Sequence, residues 1–312
     1  MSTSRSVAFP GIVATLLLLG SYPALAQYER PGSSTAQFLD IGVSPRAEAM
    51  AGSYVSVAEG AEGAYYNPAV LARIEGTDAT VTFTKWFANI NHEFISIAHN
   101  FGELSVALSA TALQTDEMEV RTPLQPDGTG ETFVAGSYRF GISLARSFTD
   151  HVCIGITGNY IRQFLFRDFS EGAYAGDIAV LYDAGVRNLK FGFLMSNFGS
   201  NVTFVNESYP MPTSFSFGIS VNALEFQEHS LLVSLSAKKP NDGKPKLVGG
   251  MEYNFENVFF VRGGYHDDEV KTFDAGMGVR VHIDTYTLNL DYSYSVFRVL
   301  GGSQRIGMSF HL

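Results

Sequence analysis

Residues 285–296 read Thr-Tyr-Thr-Leu-Asn-Leu-Asp-Tyr-Ser-Tyr-Ser-Val, and the alternation is without error. Tyr286, Leu288, Leu290, Tyr292, Tyr294 and Val296 are apolar or aromatic, and every residue between them is polar. A β-strand sends successive side chains to opposite faces, so this segment has one greasy face and one wet face. The same two-faced pattern fills most of the chain. Long strands of this kind, repeated many times, predict an antiparallel transmembrane β-barrel with lipid outside and a polar lumen inside.

The composition agrees. Residues 1–26 have the layout of a secretory leader: Arg5, an apolar run from Ile12 to Leu19, and Ala24-Leu25-Ala26 before a cleavage point. The apolar run is too short for a spanning helix of ~20 residues. Without the leader, residues 27–312 shift the net charge from −10 to −11, which argues against a nucleic-acid binder. A single cysteine, Cys153, excludes an internal disulfide. The 31 glycines, 25 phenylalanines and 15 tyrosines suit a chain of tight turns and aromatic girdles.

From Thr77 onward the pattern predicts fourteen strands, over 77–87, 92–100, 103–113, 133–147, 151–166, 173–186, 187–197, 213–222, 228–238, 245–254, 257–266, 271–283, 285–296 and 303–312. An even number closes a barrel and leaves no strand edge in lipid. Strands of ten or more residues exceed the ~5–6 usual in soluble sheets. The last strand ends on Ile306, Met308, Phe310 and Leu312, which resembles the C-terminal signal read by outer-membrane assembly machinery. Residues 27–76 differ: small residues dominate 47–52, and Asn67-Pro68 announces a capped short helix. The expected organisation is a cleaved leader (1–26), a small helical hatch or plug (27–76) and the barrel (77–312).

Several blocks carry a family resemblance. Phe38-Leu39-Asp40-Ile41-Gly42, Arg46-Ala47, Met50-Ala51-Gly52 and Tyr66-Asn67-Pro68-Ala69 are followed by Asn197-Phe198-Gly199, Tyr209-Pro210-Met211-Pro212, Gly250-Met251-Glu252-Tyr253, Val261-Arg262-Gly263-Gly264-Tyr265 and Gly276-Met277-Gly278-Val279-Arg280. In this order they resemble the PorV/PorQ family of outer-membrane proteins. Ser44-Pro45 and Ala51 depart from the family's usual small residues and leave the fold reading intact. The resemblance implies a barrel related to FadL transporters, with an N-terminal hatch, and a link to type IX protein secretion. The implied partners are outer-membrane lipid, secreted cargo proteins and the secretion machinery. The alternative is a FadL-like transporter that takes a hydrophobic ligand through its lumen and a lateral opening.

The candidate site residues fall in three groups. Arg46, Met50, Gly52, Asn67 and Pro68 form the hatch motif, with Asn67 as a helix cap and Arg46 available to pair with a lumen carboxylate. Arg139, Asp177, Asp183, Glu252, Arg262, Asp274, Arg280, Asp291 and Arg305 are the inward charges, and mutual pairing is the expected arrangement because unpaired buried charge is costly. The loops at 114–132 and 198–212 belong at a barrel end, and Phe204, Tyr209 and Met211 in the second are candidates for contact with a protein partner. The histidines are scattered, and His266-Asp267-Asp268-Glu269 reads as a solvated acidic turn rather than a metal loop. Neither a catalytic constellation nor a cofactor motif is present, and Gly276-Met277-Gly278 lacks the strand-turn-helix context of a dinucleotide site. The chain reads as a non-enzyme.

Overall fold

The computed structural model describes residues 31–312 apart from 167–168, 205–206, 268–269 and the side chain of Phe204. The leader read over 1–26 lies outside the described residues. Fourteen strands form one closed antiparallel barrel. They are β1 (Thr77–Lys85), β2 (Asn91–Asn100), β3 (Ser105–Gln114), β4 (Gly136–Ser147), β5 (Val152–Phe164), β6 (Ser170–Asp183), β7 (Lys190–Gly199), β8 (Ser214–Phe226), β9 (His229–Pro240), β10 (Lys246–Phe255), β11 (Phe259–His266), β12 (Lys271–Ile283), β13 (Tyr286–Phe297) and β14 (Gly301–His311). Closure comes from β1 pairing with β14, from Asp78 opposite His311 to Lys85 opposite Gln304.

Alternation becomes orientation. Ser293 and Ser295 are fully enclosed, whereas their neighbours Tyr294 and Val296 are 40% and 48% exposed. Val81, Ile95, Phe140, Phe217, Leu235, Val261, Met277 and Ile306 project outward on eight other strands. A continuous apolar exterior on a closed sheet is the solution for a barrel solvated by lipid, and it places the chain in a bacterial outer membrane. The turns distinguish the two ends. Residues 227–228, 256–258 and 284–285 are tight, built on left-handed Gln227, Glu256, Asn257 and Asp284. The opposite end carries the long connections 115–135 and 200–213, so it is the extracellular one.

All fourteen expected strands are present, with boundary differences. The sixth and seventh were expected to abut near residue 186. Instead residues 184–189 form the β6–β7 turn, because Gly185, Arg187 and Asn188 all take positive φ. Strand β8 runs on to Phe226 through a bulge between Asn222 and Leu224. Each long loop adds a small hairpin, Met118–Glu119 with Thr132–Phe133 and Val202–Phe204 with Glu207–Tyr209.

The N-terminal segment runs through the lumen. Near the extracellular end the Thr35 amide donates to the Pro210 carbonyl, and near the other end the Ala61 amide donates to Asp78 Oδ1 at 2.7 Å. It has two short α-helices, α1 (Pro45–Ala49) and α2 (Gly63–Tyr66), and 3-10 turns at Gln37–Asp40, Gly60–Glu62 and Pro68–Arg73. Its small residues allow backbone to lie on backbone. A Cβ added to Gly264 would sit 2.3 Å from the Ala51 nitrogen, and one added to Gly155 would sit 2.3 Å from the Pro68 carbonyl carbon. Larger inward residues at these points have no room.

Outward orientation has a direct consequence. Leu290→Arg should cost roughly 2–4 kcal/mol of stability in lipid if it meets the bilayer midplane, whereas Leu290→Phe should cost little. Equal refolding of the two variants into vesicles would contradict the face assignment.

Candidate functional site

The segment divides the lumen, and α1 holds it there. Ser44 caps the helix by accepting from the Ala47 amide, Pro45 occupies the first turn, and Gly52 at φ +72° ends it by donating to the Ala47 carbonyl at 2.8 Å. Arg46 and Glu48 stand two residues apart on this helix, which sends them to different sides.

Arg46 grips Glu252 of β10 with two donors, Nε and Nη2, each at 2.7 Å, and reaches Glu59 with Nη1 at 2.7 Å. Glu252 also accepts from Arg262 Nε at 2.5 Å, and Arg262 Nη1 continues to Asp291 at 2.5 Å. The result is an alternating row, Glu59–Arg46–Glu252–Arg262–Asp291. On the other side Glu48 lies 2.8 Å from Lys271 Nζ and 3.3 Å from Arg305 Nη2. Lys271 also meets Asp274 at 2.9 Å, and Asp274 meets His266 Nε2 at 2.5 Å. Burial pushes the Glu48 carboxyl up, but Lys271 and Arg305 outweigh it and hold it at about 2.

The remaining inward charges are also engaged. Arg139 donates to Asn159 at 3.0 Å and Asp177 at 3.1 Å, and its guanidinium lies 4.8 Å over the Tyr65 ring. Asp177 further accepts from the Asn197 amide at 2.7 Å, where β6 and β7 shift register. Asp183 sits 3.6 Å from Arg73 near the periplasmic end. Arg280 donates to Asn289 at 2.7 Å and covers the Phe260 ring at 4.9 Å. Arg305, fully enclosed, donates to Ser295 and Ser303 and lies 5.3 Å over Trp86. Asn67 caps the turn after it by accepting from the Ala69 amide and donates to the Val55 carbonyl at 2.6 Å, with Pro68 in the first turn. Met50 is fully buried between the segment and the wall.

Two expectations need correction. Met211 was a candidate for partner contact, but it is 2% exposed and packs with Ala36, Phe38, Leu39, Ile161 and Val202. An apolar side chain beside Pro210 finds the underside of the loop first, because the segment supplies an apolar surface there. Of its companions, Tyr209 bonds Glu207 at the surface, and the Phe204 side chain lies outside the described residues. His266 was read as part of a solvated turn. It is the last residue of β11 and faces Asp274 in the lumen, and no metal-binding cluster occurs among the described residues. Glu48, Glu62, Lys271 and Trp86 escaped the sequence reading. A lone acid inside the small-residue run Ala47-Glu48-Ala49 was the available signal for the first.

Two cavities result. The extracellular one has a volume of about 650 Å³; its apolar lining includes Leu39, Ile41, Tyr65, Trp86 and Phe297, interspersed with serines and charged side chains. Trp86, Phe87 and Phe297 form an edge-on aromatic cluster at its rim, with centroids 4.7–5.4 Å apart. The charges on its wall meet partners within the protein, including Asp40 with Lys238 at 2.7 Å and Asp242 with Ser34 and Gln37. The periplasmic cavity, about 260 Å³, is polar and holds Arg46, Glu59, Glu62, Asp78, Arg280, His282 and Asp291 on its wall.

Glu62 differs from the carboxylates of the two ion-pair rows. Its hydrogen-bond donors are the neutral hydroxyls of Tyr54, at 3.1 Å, and Ser44, and burial pushes its carboxyl up to about 7. Between about pH 4.5 and 7 the folded chain therefore keeps a proton that the unfolded chain has lost. Stability from this group is full below that window and falls as pH rises through it. Glu48 has the opposite sign: its contribution is present above about 4.5 and is lost as pH falls toward 2. We expect amide protection of residues 44–66 to weaken between about pH 5 and 8 by up to roughly 3 kcal/mol, with Glu62→Gln abolishing the decline. Parallel hydrogen-exchange profiles for the two proteins would overturn this assignment.

No protein-family model matches the sequence, and no curated protein does. Solved structures match the fold. The Ralstonia pickettii toluene transporter TbuX superposes with a TM-score of 0.56 at 13% identity, over 86% of this chain and 97% of that one. The Pseudomonas putida toluene transporter TodX gives 0.59 at 12% identity, over 86% and 97%. A Pseudomonas aeruginosa FadL homologue gives 0.51 at 11% identity, over the same shares. At these identities the likeness is one of architecture: the chain has the FadL-like barrel fold.

Proposed function

We propose that the chain is a conduit for uncharged hydrophobic compounds across the outer membrane, with the extracellular cavity as its binding site and residues 31–76 as its hatch. The observation that carries this reading is the chemistry of the cavity wall. Aliphatic and aromatic side chains share it with the hydroxyls of Ser196, Ser214, Ser216 and Ser236, while Glu48, Lys271, Arg139, Asp177, Lys238 and Asp40 spend their charges on one another. Such a wall favours an apolar solute over one carrying a charged head, since an ionic group entering it would have to compete with pairs already made. That the matching folds include two toluene transporters and a FadL homologue supports the same reading. In it Arg46 and Glu48 are the latch, and Met50, Gly52, Asn67 and Pro68 shape the hatch around it.

The lateral opening expected of such a conduit is closed in this state. Strand β3 pairs with both neighbours over its whole length, from Asn91–Gln114 to Asn100–Ser105 and from Ser105–Ala145 to Gln114–Gly136. Passage therefore requires movement of the hatch or of the wall.

A second reading, cargo handling of the PorV/PorQ type for type IX secretion, rests on the ordered sequence blocks from Phe38 to Arg280. It places the partner surface on the extracellular loops, where Leu124 is 93% exposed.

Trp86 is the only tryptophan, so intrinsic fluorescence reports the cavity directly. Titration with toluene should quench it saturably, and Ile41→Asp should weaken binding at least about tenfold, equivalent to ~1.4 kcal/mol. Absence of saturable quenching, or equal affinity in the variant, would refute the transport reading. Recovery of secreted proteins with a shared C-terminal sorting domain on the tagged barrel would favour the second.

A further inference from the structure

The outer wall from β14 round to β6 is not evenly convex. It carries an apolar trough of about 930 Å³. The trough follows from residue sizes along two outward ladder rows. Ala79, Ala110 and Gly158 make its floor, and Ile95, Phe140 and Tyr174 rise beside them. A Cβ built on Gly158 would meet nothing within 4 Å, so the floor is open to whatever surrounds the barrel. In an outer membrane that surrounding is hydrocarbon, and an unfilled trough in it would forfeit the contacts its lining atoms would otherwise make.

The charge next to the trough identifies the head that accompanies the chains. Arg162 lies two residues beyond Tyr160 on β5, toward the extracellular end, with its side chain outward beside Tyr138 and Gly172. It is exposed and has neither a hydrogen bond nor an ion pair among the described residues. Glu93, on the same outward row, is three strands away through Ala112 and Tyr138, about 14 Å by strand spacing. Exposed Glu171, next to Gly172 on β6, falls on the inward-facing row with Ala173 and Ala175, so no carboxylate pairs with Arg162 among the described residues, and an arginine there suits a phosphate.

We propose that this trough retains one molecule of an anionic, phosphate-headed membrane lipid, its acyl chains on the Ala79–Ala110–Gly158 floor and its phosphate on Arg162. The lipid serves as a fixed part of the wall over β1–β6, beside the half of the barrel that faces α2 and the Pro68–Arg73 turn. This site is outside the lumen and does not depend on what the lumen carries.

Native mass spectrometry of the full barrel, released from detergent after exposure to phosphatidylglycerol or to phosphatidylcholine with identical chains, tests it. The wild type should retain phosphatidylglycerol at least about fivefold better. Arg162→Glu should abolish that preference, and Gly158→Phe, which fills the floor, should reduce retention of both lipids. Arg162→Glu alters only an exposed side chain, and loss of fold in Gly158→Phe would leave it as the deciding variant. Equal retention of the two lipids by the wild type, an undiminished preference in Arg162→Glu, or a dimer of this chain seated on the trough would overturn the proposal.

Discussion

The structure depends on two opposite charges carried by one five-residue helix. Arg46 and Glu48 leave α1 on different sides and enter separate ion-pair rows, one through Glu252 and Arg262, the other through Lys271, Arg305 and Asp274. Each charge is costly to bury alone, and each is buried only because its row alternates in sign. Removing either helix residue leaves the opposite wall with uncompensated charge, a penalty of several kcal/mol where the site is dry. The helix position is therefore specified by electrostatics from both sides, and Gly250 and Gly264 allow the backbone at Met50 and Ala51 to come close to the wall.

From that anchor the two cavities follow. Above α1 the wall mixes aliphatic and aromatic side chains, Trp86 and Phe297 at its rim among them, with serines and paired charges; below it the wall is polar, with Glu62 buried beside hydroxyls. The helix thus separates a larger cavity with apolar patches facing outward from a smaller polar one facing the periplasm. In the transport reading proposed above, a hydrophobic solute would be stabilised on the outward side of this helix and not on the other. The acid whose proton is held up to about neutral pH sits on the wet side and belongs to the N-terminal segment itself.

The wall was legible in the sequence because strand period and lipid solvation impose one rule on every residue: Leu290 and Tyr294 out, Ser293 and Ser295 in. Turns were less legible, since Val186 in an apolar stretch gives no warning that Gly185, Arg187 and Asn188 turn the chain. Within the lumen, the charges could be named but not their partners. Pairing of Arg46 with Glu252 joins residues 206 positions apart, a distance that no local pattern spans. Met211 and His266 were misjudged for a related reason: a loop residue and a strand-end residue look solvated until the segment that covers them is placed. Glu48 was passed over because a charge among alanines has no periodicity to assign it a side.

We propose that the Arg46 and Glu48 pairs keep the N-terminal segment seated and the lumen shut. Single-channel conductance of the purified barrel in planar bilayers tests it most directly, with the wild type beside an Arg46→Ala, Glu48→Ala double variant. The wild type should show no steady conductance and the variant frequent long-lived openings. A wild type that conducts steadily, or a folded double variant that stays as silent as its parent, would contradict it.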